Sequence, residues 1–240
     1  MAKRIKTDPV IVTCEHGGNR IPALYRDLFE GKRALLDSHR GYDPGALLMA
    51  RELSNACNAP LVFSTTSRLL VDLNRSPAHP HLFSIMVRSM PPAARDRIVT
   101  RYYEPYRLQV EQLIKESISA GRRQLHISSH SFTPELDGKV RRADVGLLYD
   151  PARPGETELC SRWKASLAML APNLRVRRNY PYAGKNDGLT AYLRGRFAAD
   201  EYIGVELEVN QAIVMAGGRS WAVLRALLIE SLHAVIENIA

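Results

Sequence analysis

The stretch Pro9-Val10-Ile11-Val12-Thr13-Cys14-Glu15-His16-Gly17-Gly18 decides the fold. A short apolar, β-branched run gives way to a thiol, a carboxylate, an imidazole and two glycines. Such a run, bounded by glycine, reads as a buried strand. Polar groups at the end of a buried strand are costly unless they bind something. In an α/β sheet those strand ends are where active sites form. The glycines after His16 let the backbone turn sharply and approach a ligand closely.

The same pattern recurs along the chain. Arg68 and Asp72-Leu73-Asn74-Arg75 surround Leu69-Leu70-Val71. His130 closes Leu125-His126-Ile127-Ser128-Ser129, and Glu206 and Glu208 lie inside Ile203 to Val209. Strands are expected over 9–14, 60–64, 68–73, 124–130, 143–149, 174–178 and 202–209. Helices are expected over 44–57, 93–120, 155–170, 190–199 and 218–238. The clearest is 93–120. Pro91-Pro92 precede it, Gly121 follows it, and Ile98, Tyr102, Tyr106, Val110 and Leu113 recur at helical spacing. Strands alternating with helices imply an α/β fold: three α/β/α layers around a mixed, mostly parallel central sheet. There is no repeat or obvious linker, so residues 1–240 read as a single catalytic domain.

Composition bounds the function. The 240 residues are 45% apolar and 24% charged, as in ordinary globular proteins. No run approaches the roughly 18 apolar residues of a membrane span. The basic start Met1-Ala2-Lys3-Arg4-Ile5-Lys6 lacks a signal peptide's cleavage pattern, so a cytoplasmic protein is expected. Cys14, Cys57 and Cys160 are odd in number and far apart, which suits reduced thiols rather than a disulfide framework. The net charge is +8, and 26 of the 33 basic residues are arginine. They are scattered and carry no nucleic-acid motif. Small acidic ligands fit better than nucleic acid.

His16 and His130 are candidate metal ligands, since each ends an apolar run and would offer an imidazole nitrogen to a cleft. A catalytic zinc takes three protein ligands. Asp43, in the turn Gly41-Tyr42-Asp43-Pro44-Gly45, is the candidate third, with Glu15 and His39 as alternatives. An Asp before Pro also makes a good helix cap. Glu206 and Glu208 alternate with Val205, Leu207 and Val209 and so share one face. Glu208, nearer the carboxyl end, suits the base that takes a proton from water and returns it to a leaving amine. Asn74-Arg75 suits bidentate grip of a carboxylate. Arg68 suits a developing oxyanion, or else a salt bridge to Asp72.

Together these residues resemble the N-formylglutamate amidohydrolase family. The resemblance rests on Glu15-His16-Gly17-Gly18-Asn19-Arg20-Ile21-Pro22, Asp43-Pro44-Gly45-Ala46, Arg68 to Arg75, His130-Ser131-Phe132-Thr133-Pro134, Asp144 to Tyr149 and Gly204 to Asn210. It implies a zinc-exopeptidase (phosphorylase/hydrolase)-like fold and kinship to zinc carboxypeptidases and aspartoacylases. It also implies one Zn2+ per chain and cleavage of the amide of a small anionic N-acyl amino acid, first of all N-formyl-L-glutamate. Asn74 and Arg75, with Arg141 or Arg194, would then hold the carboxylates. A related carboxypeptidase or acylase, or a non-catalytic binding protein on the same scaffold, are the alternatives. The chain departs from the relatives' His-x-x-Glu pair of ligands at Asn19, three residues after His16.

Overall fold

The computed structural model describes residues 9–237; the basic start Met1 to Lys6 lies outside the described residues. The strands are β1 (Val10–Cys14), β2 (Leu61–Phe63), β3 (Gln124–Phe132), β4 (Glu135–Leu136), β5 (Lys139–Val140), β6 (Val145–Leu148), β7 (Val176–Arg178) and β8 (Tyr202–Asn210). The α-helices are α1 (Arg33–Leu36), α2 (Ala46–Ala56), α3 (Ile85–Arg88), α4 (Pro92–Ile98), α5 (Glu104–Ser119), α6 (Pro154–Leu170), α7 (Leu189–Arg194), α8 (Gln211–Ala216) and α9 (Gly218–Ile236).

The central sheet runs β2-β1-β3-β8-β6-β7. β2, β1, β3 and β8 are parallel to one another, β6 is antiparallel to β8, and β7 is parallel to β6. The sheet is therefore mixed and mostly parallel, as the alternation of elements implied. β4 and β5 form a separate antiparallel ribbon.

Helices cover both faces, and the period of two along each strand separates two cores. On one face Val10, Val12, Leu125, Ile127, Val205 and Leu207 pack against α2, α6 and α9, with Trp163 at the centre. Each such fully buried aliphatic side chain contributes about 1.5–3 kcal/mol. The Trp163 indole N–H donates to Ser231 Oγ at 2.9 Å, satisfying its one polar atom. The other face is apolar only at its margins, where Ile11, Val62, Tyr106, Val110, Leu189 and Tyr202 pack with α5 and α7. Its middle is polar and buried: Thr13, His126, Ser128, His130, Glu206 and Glu208. This polar stripe is what a strand core would not tolerate without a use.

Two expectations are corrected. Residues 68–73 form turns, not a strand. Leu70 N–H donates back to Ser67 O, and Asp72 N–H to Leu82 O, so the backbone is satisfied without a sheet neighbour. The apolar run is explained by burial instead, because Leu69, Leu70 and Val71 all plug the second core. The long helix over 93–120 is α4 and α5 joined by a π-helical segment, Val99–Tyr103.

Candidate active site

His16 leaves the end of β1 on a loop pressed against the chain after β2. A Cβ on Gly18 would stand 2.9 Å from Thr65 O, so only glycine permits this approach. The backbone N–H of Asp43 donates to His16 O at 2.9 Å and ties the next loop to the first. Gly45 then begins α2 at φ 80°, the left-handed region that favours glycine. No side chain caps this helix. The Asp43 carboxylate turns instead to the histidines, so the capping alternative does not hold. His130 comes from β3, directly beside Glu208 of β8 in the parallel register.

His16, Asp43 and His130 form a buried cluster whose ligand atoms lie within 4.8 Å of one another. Asp43 Oδ2 is 3.3 Å from His16 Nδ1 and 2.9 Å from His130 Nδ1. The opposite nitrogens are held from outside. Asp72 Oδ1 is 2.7 Å from His16 Nε2. Glu15 Oε2 and Ser128 Oγ are 3.0 and 2.9 Å from His130 Nε2. Glu15 also accepts from the hydroxyls of Ser128 and Tyr106 at 2.6 and 2.7 Å. A carboxylate behind each imidazole is the arrangement that orients metal-bound histidines.

The electrostatics follow from burial and pairing. Burial alone would pull His130 down, but its hydrogen bonds to Asp43 and Glu15 and their charges hold it well above the ordinary imidazole range. Burial would raise Glu15, yet the hydrogen bond and charge of His130, with Ser128, keep it far below the carboxylate range. Asp43 is likewise held down against burial by His16, His130 and Arg68. Glu208 behaves oppositely. Burial pushes its carboxyl up to about 8; Asp43 and Glu206 add to this, and His130 and Arg68 oppose it. Its Oε2 is buried without a hydrogen-bond partner among the described residues.

Two imidazoles and one carboxylate match a catalytic zinc set, which keeps one position open. Glu208 lines the same cleft. The residues therefore fit a divalent ion held by His16 Nδ1, Asp43 and His130 Nδ1. Glu15 and His39, the alternative third ligands, fall outside this cluster. Asn19 donates to Asp37 Oδ1 at 2.7 Å on the exposed surface, away from it.

The cleft measures about 190 Å3 and is lined by His16, Asp43, Arg68, Asn74, Arg75, His130, Glu206 and Glu208, with His39 and Tyr182 at its wall. A larger hollow of about 540 Å3 opens at the amino-terminal edge of β1 and carries none of these groups. Arg68 bridges Asp72 Oδ2 at 2.7 Å and Asp43 Oδ1 at 3.3 Å. It is thus both the salt-bridge arginine and a wall of the cleft. Asn74 Oδ1 accepts from Leu189 N–H at 2.6 Å, and Arg75 Nη1 donates to Asp187 O at 3.1 Å. The segment hangs from the long helix: Tyr103 OH donates to Arg75 O at 2.7 Å and Arg107 Nη1 to Leu73 O at 3.1 Å.

Two expected carboxylate partners are placed otherwise. Arg194 does not reach the cleft. Its Nε donates to both oxygens of the fully buried Glu156 at 2.9 and 3.1 Å, and its other nitrogens to Gly184 O and Gly204 O. These bonds occupy its guanidinium, which corrects its assignment as a substrate residue. Arg141 stands outside the lining and stacks on Tyr182 at 4.9 Å, donating to its hydroxyl at 3.0 Å. His126 is a structural imidazole between Thr13 Oγ1 at 2.8 Å and Tyr202 OH at 2.7 Å. Burial pulls it down to about 4. Sequence reasoning missed Asp72 as the partner of His16. The signal lay in the Asp-Leu-Asn-Arg segment itself, where a carboxylate sits two residues before Asn74.

The layered α/β/α fold carries a cleft with a candidate metal centre. Comparison with known proteins gives the family. The chain belongs to the N-formylglutamate amidohydrolase family, whose profile matches residues 8–215. The gene product Atu2144 from Agrobacterium tumefaciens is 32% identical, with a TM-score of 0.83 over 97% of this chain and 92% of that one. N-formylglutamate amidohydrolase from Ralstonia eutropha JMP134 shares the fold at 17% identity and a TM-score of 0.69, over 98% of this chain and 94% of its own. Among curated proteins none matches the chain. No helix of the described residues is long and apolar enough to cross a membrane.

Proposed function

We propose that this protein is a cytoplasmic amidohydrolase that uses one zinc ion per chain to cleave the amide of a small anionic N-acyl amino acid. N-formyl-L-glutamate is the first substrate to test, and nucleic acid plays no part. The observation that carries the reading is that Glu208, one of whose carboxylate oxygens is buried and unpartnered, lines the same cleft as the His16–Asp43–His130 cluster and sits beside His130 in the sheet register.

A zinc ion bound there would supply Lewis acidity beside the acyl carbonyl. The chain's own groups do the rest. Glu208, on β8, takes a proton from the attacking water and returns it to the nitrogen as the carbon–nitrogen bond breaks. For a formyl substrate the products are formate and the free amino acid. A carboxyl pushed up to about 8 by its surroundings is a stronger base than an exposed one and can also serve as the acid. Arg68 faces the carbonyl oxygen and offsets its growing negative charge. Asn74 and Arg75 hold the α-carboxylate, which fixes the amide over Glu208.

The test is hydrolysis of N-formyl amino acids by the full chain, followed as formate release, with and without a chelator. Release that stops with the chelator, returns with zinc and is abolished in Glu208→Gln supports the reading. Release that ignores both chelator and Glu208→Gln overturns it.

A further inference from the structure

Glu206 lies two residues before Glu208 on the same face of β8, so the two side chains leave the strand about 7 Å apart. It is 9% exposed and lines the cleft. Its Oε1 accepts from the Thr190 hydroxyl at 2.6 Å. A Cβ on Gly188 would stand 3.2 Å from both Glu206 Oε1 and Asn74 Oδ1, so this carboxylate sits beside the amide assigned to the substrate carboxylate.

No lysine or arginine among the described residues forms an ion pair with Glu206. Arg194 is taken by Glu156, and Arg68 by Asp43 and Asp72. The Arg194 charge still acts on Glu206, but no cation touches this carboxylate; a buried carboxylate without a contact partner is costly, and one that opens on a cleft can gain that partner from a ligand. The cations lining that cleft are Arg68, already doubly paired, and Arg75. A substrate held by one carboxylate on Asn74-Arg75 already lies beside Glu206, so a second carboxylate on the same small molecule adds like charge against like charge.

We propose that Glu206 sets the side-chain specificity of this cleft. It favours an N-acyl amino acid whose side chain ends in a hydrogen-bond donor, an ammonium or a carboxamide, over one ending in a second carboxylate. The inference rests on the amidohydrolase reading and revises the acidic side chain that the family name suggests. N-formyl derivatives of ornithine and glutamine end in such donors, and glutamate is the near-isosteric acid of glutamine.

The decisive measurement is calorimetric binding of N-formyl-L-glutamate, N-formyl-L-glutamine and N-formyl-L-ornithine to the zinc-supplemented full chain at pH 7. The Glu208→Gln background keeps the ligands from being consumed. Glutamine and ornithine derivatives are expected to bind at least tenfold tighter than the glutamate derivative. Adding Glu206→Gln is expected to tighten glutamate binding at least tenfold and weaken ornithine binding by a similar factor. Glutamate binding as tightly as glutamine, no binding of any of the three, or Glu206→Gln shifting all three alike would overturn the proposal. The last outcome would leave Glu206 only as the anchor of Thr190. Failure of the amidohydrolase reading has a different signature: the binding order holds, but Glu208-intact protein releases no formate from any of them.

Discussion

Asp72 Oδ1 stands 2.7 Å from His16 Nε2, and this contact leaves Nδ1 as the ring nitrogen turned toward Asp43 and His130. The same carboxylate binds Arg68 through its other oxygen. Orientation of the imidazole and position of the arginine therefore both depend on Asp72, with Asp43 the second partner of each. Asp72→Asn is expected to weaken zinc binding by about 10- to 100-fold, the range for partners that orient metal ligands. Competition with a chromophoric chelator measures it; unchanged affinity would remove Asp72 from the site.

Loss of metal and loss of base have separate signatures. His16→Ala removes a ligand and is expected to abolish stoichiometric zinc in purified protein. Glu208→Gln keeps all three cluster residues, so zinc content stays at one while formate release falls about 10²-fold or more. Metal analysis alongside kinetics separates the two. Zinc loss in both variants would assign Glu208 to the metal instead.

Arg75 and Arg194 divide grip from framework. Arg194→Ala leaves the buried Glu156 carboxylate uncompensated, and breaking such a pair costs about 3–5 kcal/mol. In a chain of this size that lowers Tm by about 10 °C. Arg75→Lys keeps the charge but loses the planar fork, so KM is expected to rise about tenfold with Tm little changed. Thermal melts and steady-state kinetics on both variants test the division.

His126 gives a pH signature that belongs to folding rather than turnover. The unfolded imidazole binds its proton near 6.5, and the folded one only near 4. Between those values the unfolded chain holds more protons, so stability rises with pH. The contribution is complete above about 6.5 and lost as pH falls through 4, about 3 kcal/mol in all. Urea melts of wild type and His126→Gln across pH 4–7 are expected to differ in slope over this window. Parallel curves would exclude His126 as the source.

The sheet was legible because its apolar runs and their interruptions are strong signals. The strand over 124–130 and the strand over 202–209 carry core residues at every second position, and both exist. Residues 68–73 misled because three consecutive buried residues look alike in a strand and in a turn that plugs a core. In the site, the histidines and Glu208 were visible as polar groups at the ends of apolar runs. The roles of Asp72 and Glu156 were not, because a carboxylate paired across 56 or 38 residues leaves no local pattern. Arg194 was misassigned for the same reason: an arginine count says nothing about which guanidinium is already occupied.

The π-helical segment Val99–Tyr103 has a bearing on how this family's chains can diverge. Tyr103, its last residue, and Arg107, one turn further on, reach across to the carbonyls of Arg75 and Leu73. The turn segment that carries Asn74 and Arg75 is thus suspended from this helix, like a hook hung from a beam. One residue inserted into or deleted from that helix turn would shift Tyr103 and Arg107 by about 100° of helical phase relative to the preceding helix; the same helix carries Tyr106, whose hydroxyl holds Glu15 behind His130. A length change there would therefore reach the Asp72–Arg75 segment and the support of His130 at once, which ties this helix's length to the whole cleft.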